Sequence, residues 1–150
     1  MQDTPKVLEG TLLAFDFGTR RIGIAKGNTL LANAVPLTTI DAEKNEIRFA
    51  RIAELIVEWQ PSALIVGLPC NDDGTPHEMT ALSRRFANRL KGRFNLPVML
   101  VDERYTSAAA SSVLDGLGVH GRKQKSVIDQ YAAQQILQAY FDEPTAGIIV

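Results

Sequence analysis

Leu12–Lys26 reads L-L-A-F-D-F-G-T-R-R-I-G-I-A-K. Two apolar segments, Leu12–Phe17 and Ile22–Lys26, flank the turn-forming run Gly18-Thr19-Arg20-Arg21, which predicts an antiparallel hairpin. A third strand is predicted within Ala34–Ile40, with Pro36 favouring a strand end or an edge. The hydrophobic period then changes. Phe49, Ile52, Ile56 and Trp59 fall at helical spacing, giving a helix over Asn45–Gln60 that Pro61 stops. Ala63–Leu68 is apolar on both parities, as a strand covered on both faces reads. Pro69–Pro76 is a Gly/Pro/Asn/Asp loop. A second helix spans about His77–Arg93, with Met79, Leu82, Phe86 and Leu90 inward and Arg85 and Arg89 one turn apart. Val98–Val101 is another buried strand, followed by Asp102-Glu103-Arg104. Thr106 caps a short helix to about Leu114, a glycine-broken basic loop carries Arg122, Lys123 and Lys125, and Ser126 starts a last helix to about Phe141.

The order is β-β-β-α-β-α-β-α-α. Right-handed crossovers then give an α/β fold, a mixed five-stranded sheet of order 3-2-1-4-5 with strand 2 antiparallel and helices on both faces. That is a ribonuclease H-like arrangement. The 150 residues, 16.4 kDa in mass, suit a single domain spanning 1–150. Its ordered core is expected over about 10–142, with a flexible N-terminus and a 144–150 tail that either docks or frays. The apolar run Ala63–Cys70 is far short of the ~20 residues of a membrane span, and the first ten residues lack the order of a secretory signal. Cys70 is the sole cysteine, which excludes an intrachain disulfide and agrees with a reducing, cytoplasmic setting.

The net charge of −1 hides an asymmetry. Arg84–Lys125 holds nine basic and three acidic residues; the remainder holds seven and fourteen. A local positive field of this kind can hold a polyanion on a molecule that is nearly neutral overall, although solvated helix faces also look like this.

Asp16 is the first residue with chemistry in it. A carboxylate among Leu12, Leu13, Ala14, Phe15 and Phe17 requires a metal ion, an arginine or backbone N–H groups to compensate it. Glu103 ends the fifth strand, and its neighbour Asp102 has the opposite parity, so only one of them shares the Asp16 face. An ion pair of Glu103 with Arg104 or Arg20 is the plainer reading. Asp129 stands three residues after Ser126 at capping-box spacing, yet it shares a face with Ala133, Ile136 and Tyr140 that should meet the sheet. Three acids at strand and helix ends on one edge can hold Mg²⁺ or Mn²⁺, hard cations that prefer oxygen ligands, in a number the sequence leaves open. In the order 3-2-1-4-5 the fifth strand lies two spacings, roughly 9.5 Å, from the first, so Glu103 must reach across. Asp72 or Asp73, after the neighbouring fourth strand, is the alternative third ligand, with a plain turn as its simpler reading. No Cys/His cluster suits zinc; His77 and His120 stand alone.

Four ordered motifs, L-A-F-D-F-G-T-R-R-I-G-I-A (Leu13–Ala25), G-L-P-C-N-D-D-G (Gly67–Gly74), D-E-R-Y-T-S (Asp102–Ser107) and K-S-V-I-D-Q-Y-A-A (Lys125–Ala133), resemble the YqgF/RuvX family of Holliday-junction-resolvase-like, pre-16S rRNA nucleases. The resemblance covers roughly Leu12–Phe141. It implies a cytoplasmic, metal-dependent phosphodiester hydrolase that matures the 5′ end of small-subunit rRNA, with precursor rRNA favoured over branched DNA and pre-30S particles as partners. It implies Asp16, Glu103 and Asp129 as catalytic, metal-holding acids. It also sets Arg104, Thr106 and Lys125 beside the scissile phosphate; Thr19, Arg20 and Asn71 are further substrate-binding candidates. Monomer and homodimer both remain open. Two other readings compete. D-F-G-T-R-R also resembles the first phosphate loop of the actin/Hsp70/sugar-kinase superfamily, whose second domain has no room here. A non-catalytic RNA- or ribosome-binding module on a nuclease fold is the other.

Overall fold

The computed structural model describes residues 9–71, 73–103 and 121–150, the last stretch with side chains from 126 onward. Six strands form one sheet of order β3-β2-β1-β4-β5-β6. They are β1 (Thr11–Phe17), β2 (Arg21–Asn28), β3 (Asn33–Asp41), β4 (Ala63–Leu68), β5 (Val98–Asp102) and β6 (Ile148–Ile149). β2 runs antiparallel to β1 and β3, while β1, β4 and β5 are parallel. The predicted five-strand order therefore holds, and the tail docks as a sixth. Ile149 pairs with Met99 and Ile148 with Leu100, and the Val150 N–H donates to the Val98 carbonyl at 3.0 Å. This strand covers the backbone edge that β5 would otherwise present. Pro36 lies on edge strand β3, where the register with β2 slips beside Ala25; proline is tolerated there because no inner ladder bond is lost.

Alternation along β1 divides the core. Leu13 and Phe15 face α1 (Asn45–Trp59) and α2 (Glu78–Phe94), packing with Phe49, Ile52, Leu55, Phe86 and Leu90. Leu12 and Ala14 face α3 (Gly121–Asp142), packing with Ile65, Val101, Ile136, Leu137 and Tyr140. α1 ends as expected: Gln60 turns left-handed (φ 47°) just before Pro61. α2 is opened by exposed His77, whose Nδ1 accepts from the Met79 N–H at 3.1 Å while its own N–H donates to Thr80 Oγ1 at 2.7 Å.

Three expectations change. Leu82 stays partly exposed, because the inward stripe of α2 runs through Ser83, Phe86, Ala87 and Leu90 and leaves Leu82 on its border. In α1 the buried set is Arg48, Phe49, Ile52 and Leu55, with Ile56 and Trp59 only half covered. The last helix begins at Gly121 rather than Ser126. A single glycine costs a helix only ~1 kcal/mol, and Arg122–Lys125 are good helix formers that continue it. Ser126 is thus interior, and Asp129 is no capping acid. The predicted helix over Thr106–Leu114 lies outside the described residues.

Candidate functional site

Asp16 lies near the carboxyl end of β1 on the α3 face of the sheet. Its partner across the β1–β2 ladder is Gly23. On the other side Phe15 is level with Val66, which sets Gly67 of β4 beside Asp16. Both lateral neighbours of the acid therefore lack a Cβ, and each gap is used. A Cβ on Gly23 would stand 1.9 Å from the Asp129 carbonyl oxygen, so the backbone of α3 rests directly on β2 there. A Cβ on Gly67 would stand 2.7 and 2.8 Å from Cδ and Cγ of Glu103. Glu103 shares the parity of Val101 and so projects on the Asp16 face. Its side chain passes across β4 over Gly67, which is how it covers two strand spacings.

The electrostatics follow from that convergence. The Asp16 carboxyl is held well above its ordinary pKa, first by burial, then by the charge of Glu103, its hydrogen bond to Glu103 and the charge of Asp129. Burial also raises Glu103; the hydrogen bond from Asp16 opposes this and the charge of Asp102 adds to it. Both acids are thereby held toward their neutral forms, Asp16 the more strongly. Asp129 is raised by burial against the pull of Arg21, whose Nε donates to Oδ2 at 2.8 Å. Among the described residues, no group of three or more His, Cys, Asp or Glu is already arranged as metal ligands. The acids nevertheless fit a hard dication by their chemistry. They offer oxygen alone. The Arg21 guanidinium answers the charge of Asp129, and the mutual repulsion of Asp16 and Glu103 is the kind a dication relieves.

A pH dependence follows. The folded state keeps a proton on Asp16 where the unfolded chain has lost it, so over that interval the folded state binds more protons. This contribution is complete at pH below the ordinary carboxyl range and is lost as pH climbs through the raised folded value. Without metal, the stability of the wild type relative to Asp16→Asn should therefore decline with rising pH. Urea unfolding of both proteins across the acidic-to-neutral range measures it, and a constant difference would contradict the buried-proton assignment.

The remaining candidates divide. Thr19 and Arg20 are exposed on the β1–β2 turn. Asn71 is exposed; its Nδ2 donates to Thr75 Oγ1 and the Pro76 carbonyl at 3.0 and 3.1 Å, closing the loop after β4. Asp73 belongs to that same turn, its Oδ1 accepting from the Thr75 N–H at 2.9 Å. Among the described residues, the carboxylates that act on Asp16 are Glu103 and Asp129. Asp72, Arg104, Thr106 and the Lys125 side chain lie outside the described residues; the Lys125 backbone is in the first turns of α3, not in a loop. Sequence reading missed Arg21, Gly23 and Gly67. The glycines carried a signal, since glycine inside a strand marks a close backbone or side-chain approach.

A family model described as RuvX, Holliday junction resolvase, matches residues 10–143. The chain belongs to the RuvX family. Among RuvX relatives, a protein of Methylobacillus flagellatus named "Putative pre-16S rRNA nuclease" is 62% identical over 89% of this chain and 91% of its own length. Relatives of the same name from Nitrosomonas europaea and Chromobacterium violaceum are 58% and 59% identical, covering 95% and 91% of this chain and 96% and 100% of their own lengths. Among solved structures, Thermus thermophilus RuvC in complex with a Holliday junction substrate superposes with a TM-score of 0.57 at 16% identity, covering 94% of this chain and 99% of that one. That likeness is one of fold, and the RuvX chain shares the ribonuclease H-like arrangement expected from its element order.

Proposed function

We propose that this RuvX protein is a divalent-metal-dependent endonuclease that hydrolyses phosphodiesters in structured nucleic acid, with the 5′ end of precursor 16S rRNA as its substrate. The observation that carries the reading is the convergence of Asp16 and Glu103, with Asp129 in electrostatic reach, through two glycine gaps. A partly buried acid cluster of this kind is unfavourable until a cation enters it. Asp16, Glu103 and Asp129 would hold the ion. When bound, it supplies positive charge to the phosphate and lowers the pKa of a coordinated water. The chain does the rest. Asp16 on β1, Asp129 on α3 and Glu103 immediately after β5 would present the three carboxylates, and Arg20, exposed on the adjoining turn, would neutralise phosphate charge. The family resemblance adds Arg104, Thr106 and Lys125 to that task.

The names carried by the relatives favour rRNA, whereas the family description favours branched DNA. Cleavage of a precursor 16S rRNA and of a four-way DNA junction, compared side by side with Mg²⁺, Mn²⁺ or EDTA, separates them. Metal-independent binding of either substrate without any cleavage would support the non-catalytic module instead. Among the described residues, no helix is long and apolar enough to cross a membrane. On this reading the protein works in the cytoplasm on pre-30S particles.

Gly67→Ala tests the Glu103 path. The new methyl would meet Ile136 Cδ1 at 2.4 Å and the Glu103 side chain, all movable ends. Overpacking of that kind costs ~1–3 kcal/mol, so the fold survives. Displacing Glu103 by about an ångström is expected to lower single-turnover cleavage on the order of 10²-fold. Unchanged cleavage would remove Glu103 from the site.

A further inference from the structure

Asp16 and Phe17 are consecutive and point to opposite faces of the sheet. Behind Phe17, between α1 and α2, lies a cleft of about 180 Å³. Arg48, Arg85 and Arg89 line it together with Thr19 and Asn45, and among the described residues no acidic one does so. Arg85 and Arg89 are exposed, whereas Arg48 is only 3% exposed. The Arg48 guanidinium is held by neutral groups: Nε donates to the Ala42 carbonyl at 2.5 Å and Nη2 to the Gly18 carbonyl at 2.6 Å. Among the described residues no carboxylate oxygen lies within 4.0 Å of it, and Glu43 acts on it only from farther away. Buried arginines are ordinarily matched by a carboxylate or a phosphate, whose paired oxygens fit the guanidinium fork. A fixed arginine with neutral partners, lining a cleft beside two exposed arginines, offers its charge to an anion from outside the chain.

The position of the cleft selects the anion. Arg48 grips the carbonyl of Gly18, inside the turn that links β1 to β2 immediately after Asp16. The cleft thus borders, through Thr19, the turn that begins two residues after Asp16, on the sheet face opposite the carboxylates. We propose that the cleft is a phosphate-binding subsite for nucleotides flanking the scissile bond, with Arg48 as fixed anchor and Arg85 and Arg89 as clamps. This rests on the nuclease reading and extends it, because it assigns the substrate a footprint on both faces of the sheet. Free phosphate or a mononucleotide would present the same chemistry, and the test separates these sources.

Affinity is measured by fluorescence anisotropy, with metal withheld by EDTA, for single-stranded RNAs lengthened one nucleotide at a time from the cleavage position. The wild type should show a step in affinity at the length that reaches the cleft. Arg85→Ala/Arg89→Ala should erase the step. It should weaken binding of the longest RNA by roughly tenfold per arginine, since bonds to charged groups are of about that strength. It should also flatten the slope of log K against log salt by about 1.4, two phosphate contacts on a single strand. Arg51→Ala, an exposed arginine of α1 outside the cleft and paired with Glu54 at 3.4 Å, should change nothing. Arg48→Lys keeps the charge and loses the fork, and it should weaken binding while circular dichroism stays native. A step and slope that survive the double substitution overturn the proposal and leave the nuclease reading standing. Tight binding of inorganic phosphate with RNA affinity indifferent to the arginines also overturns it, in favour of a small-anion site. A wild type with no affinity for any RNA or DNA junction overturns the nuclease reading and this subsite with it.

Discussion

Asp16→Asn is expected to abolish cleavage, on the order of 10³-fold or more, while nucleic-acid affinity stays within a few-fold of wild type. The substitution keeps the shape of the side chain and removes its charge. Asp16 is the acid that the other two surround: Glu103 bonds to it and both Glu103 and Asp129 raise its pKa. Losing a preorganised charged group at a reacting centre typically costs 10²–10³-fold, and losing the ion that this group helps to hold costs more. Binding depends instead on basic residues elsewhere, so affinity and turnover should separate. Two independent readouts support the experiment. Metal-free Asp16→Asn should be at least as stable as wild type at neutral pH, because a buried acid that resists ionisation is gone. Mn²⁺ should raise the melting temperature of the wild type, and this rise should shrink or vanish in Asp16→Asn. Loss of affinity with an unaltered cleavage rate per bound complex would show that Asp16 does not belong to the catalytic centre.

Gly23→Ala should be the most destabilising single-methyl change in the site. At Gly67 an added Cβ meets side-chain ends, which can rotate away. At Gly23 it meets backbone: the Asp129 carbonyl oxygen at 1.9 Å, its carbon at 2.2 Å and Cα at 2.9 Å. Accommodation requires α3 to lift from β2, which strips contacts from a buried layer that includes Ala133, Ile136 and Leu137. The expected cost exceeds the ~1–3 kcal/mol of ordinary overpacking. With ~2–4 °C per kcal/mol for a chain of this size, the melting temperature should fall by about 10 °C. Cleavage should vanish as well, because Asp129 moves with its helix. Thermal melts of Gly23→Ala beside Gly67→Ala provide the comparison; equal, small shifts would mean that α3 does not rest on β2 as described.

The strands and the order of the sheet were legible because their signals are local. Alternation in Ile22–Lys26, apolar residues on both parities in Ala63–Leu68 and the Gly18–Arg21 turn each act within a few residues. The start of α3 was not legible, because Gly121 is a breaker by propensity and only the continuing backbone shows that it is tolerated. Asp16 stood out as a charge inside an apolar strand; parity allowed only one of Asp102 and Glu103 on its face, and the longer side chain favoured Glu103, which shares the parity of Val101. The role of Arg21 could not be read, since its partner Asp129 lies 108 residues away in the chain. Arg48 was likewise hidden: helical charges are usually solvated, and nothing adjacent in sequence says that its acceptors are the carbonyls of Ala42 and Gly18.

The surroundings of Asp16 are shaped as much by what is missing as by what is present. A descendant of this chain could retain every acid and still fall silent by acquiring one small side chain at position 23 or 67. Anyone sorting living enzymes from relics in this lineage should therefore inspect the two vacancies alongside the carboxylates.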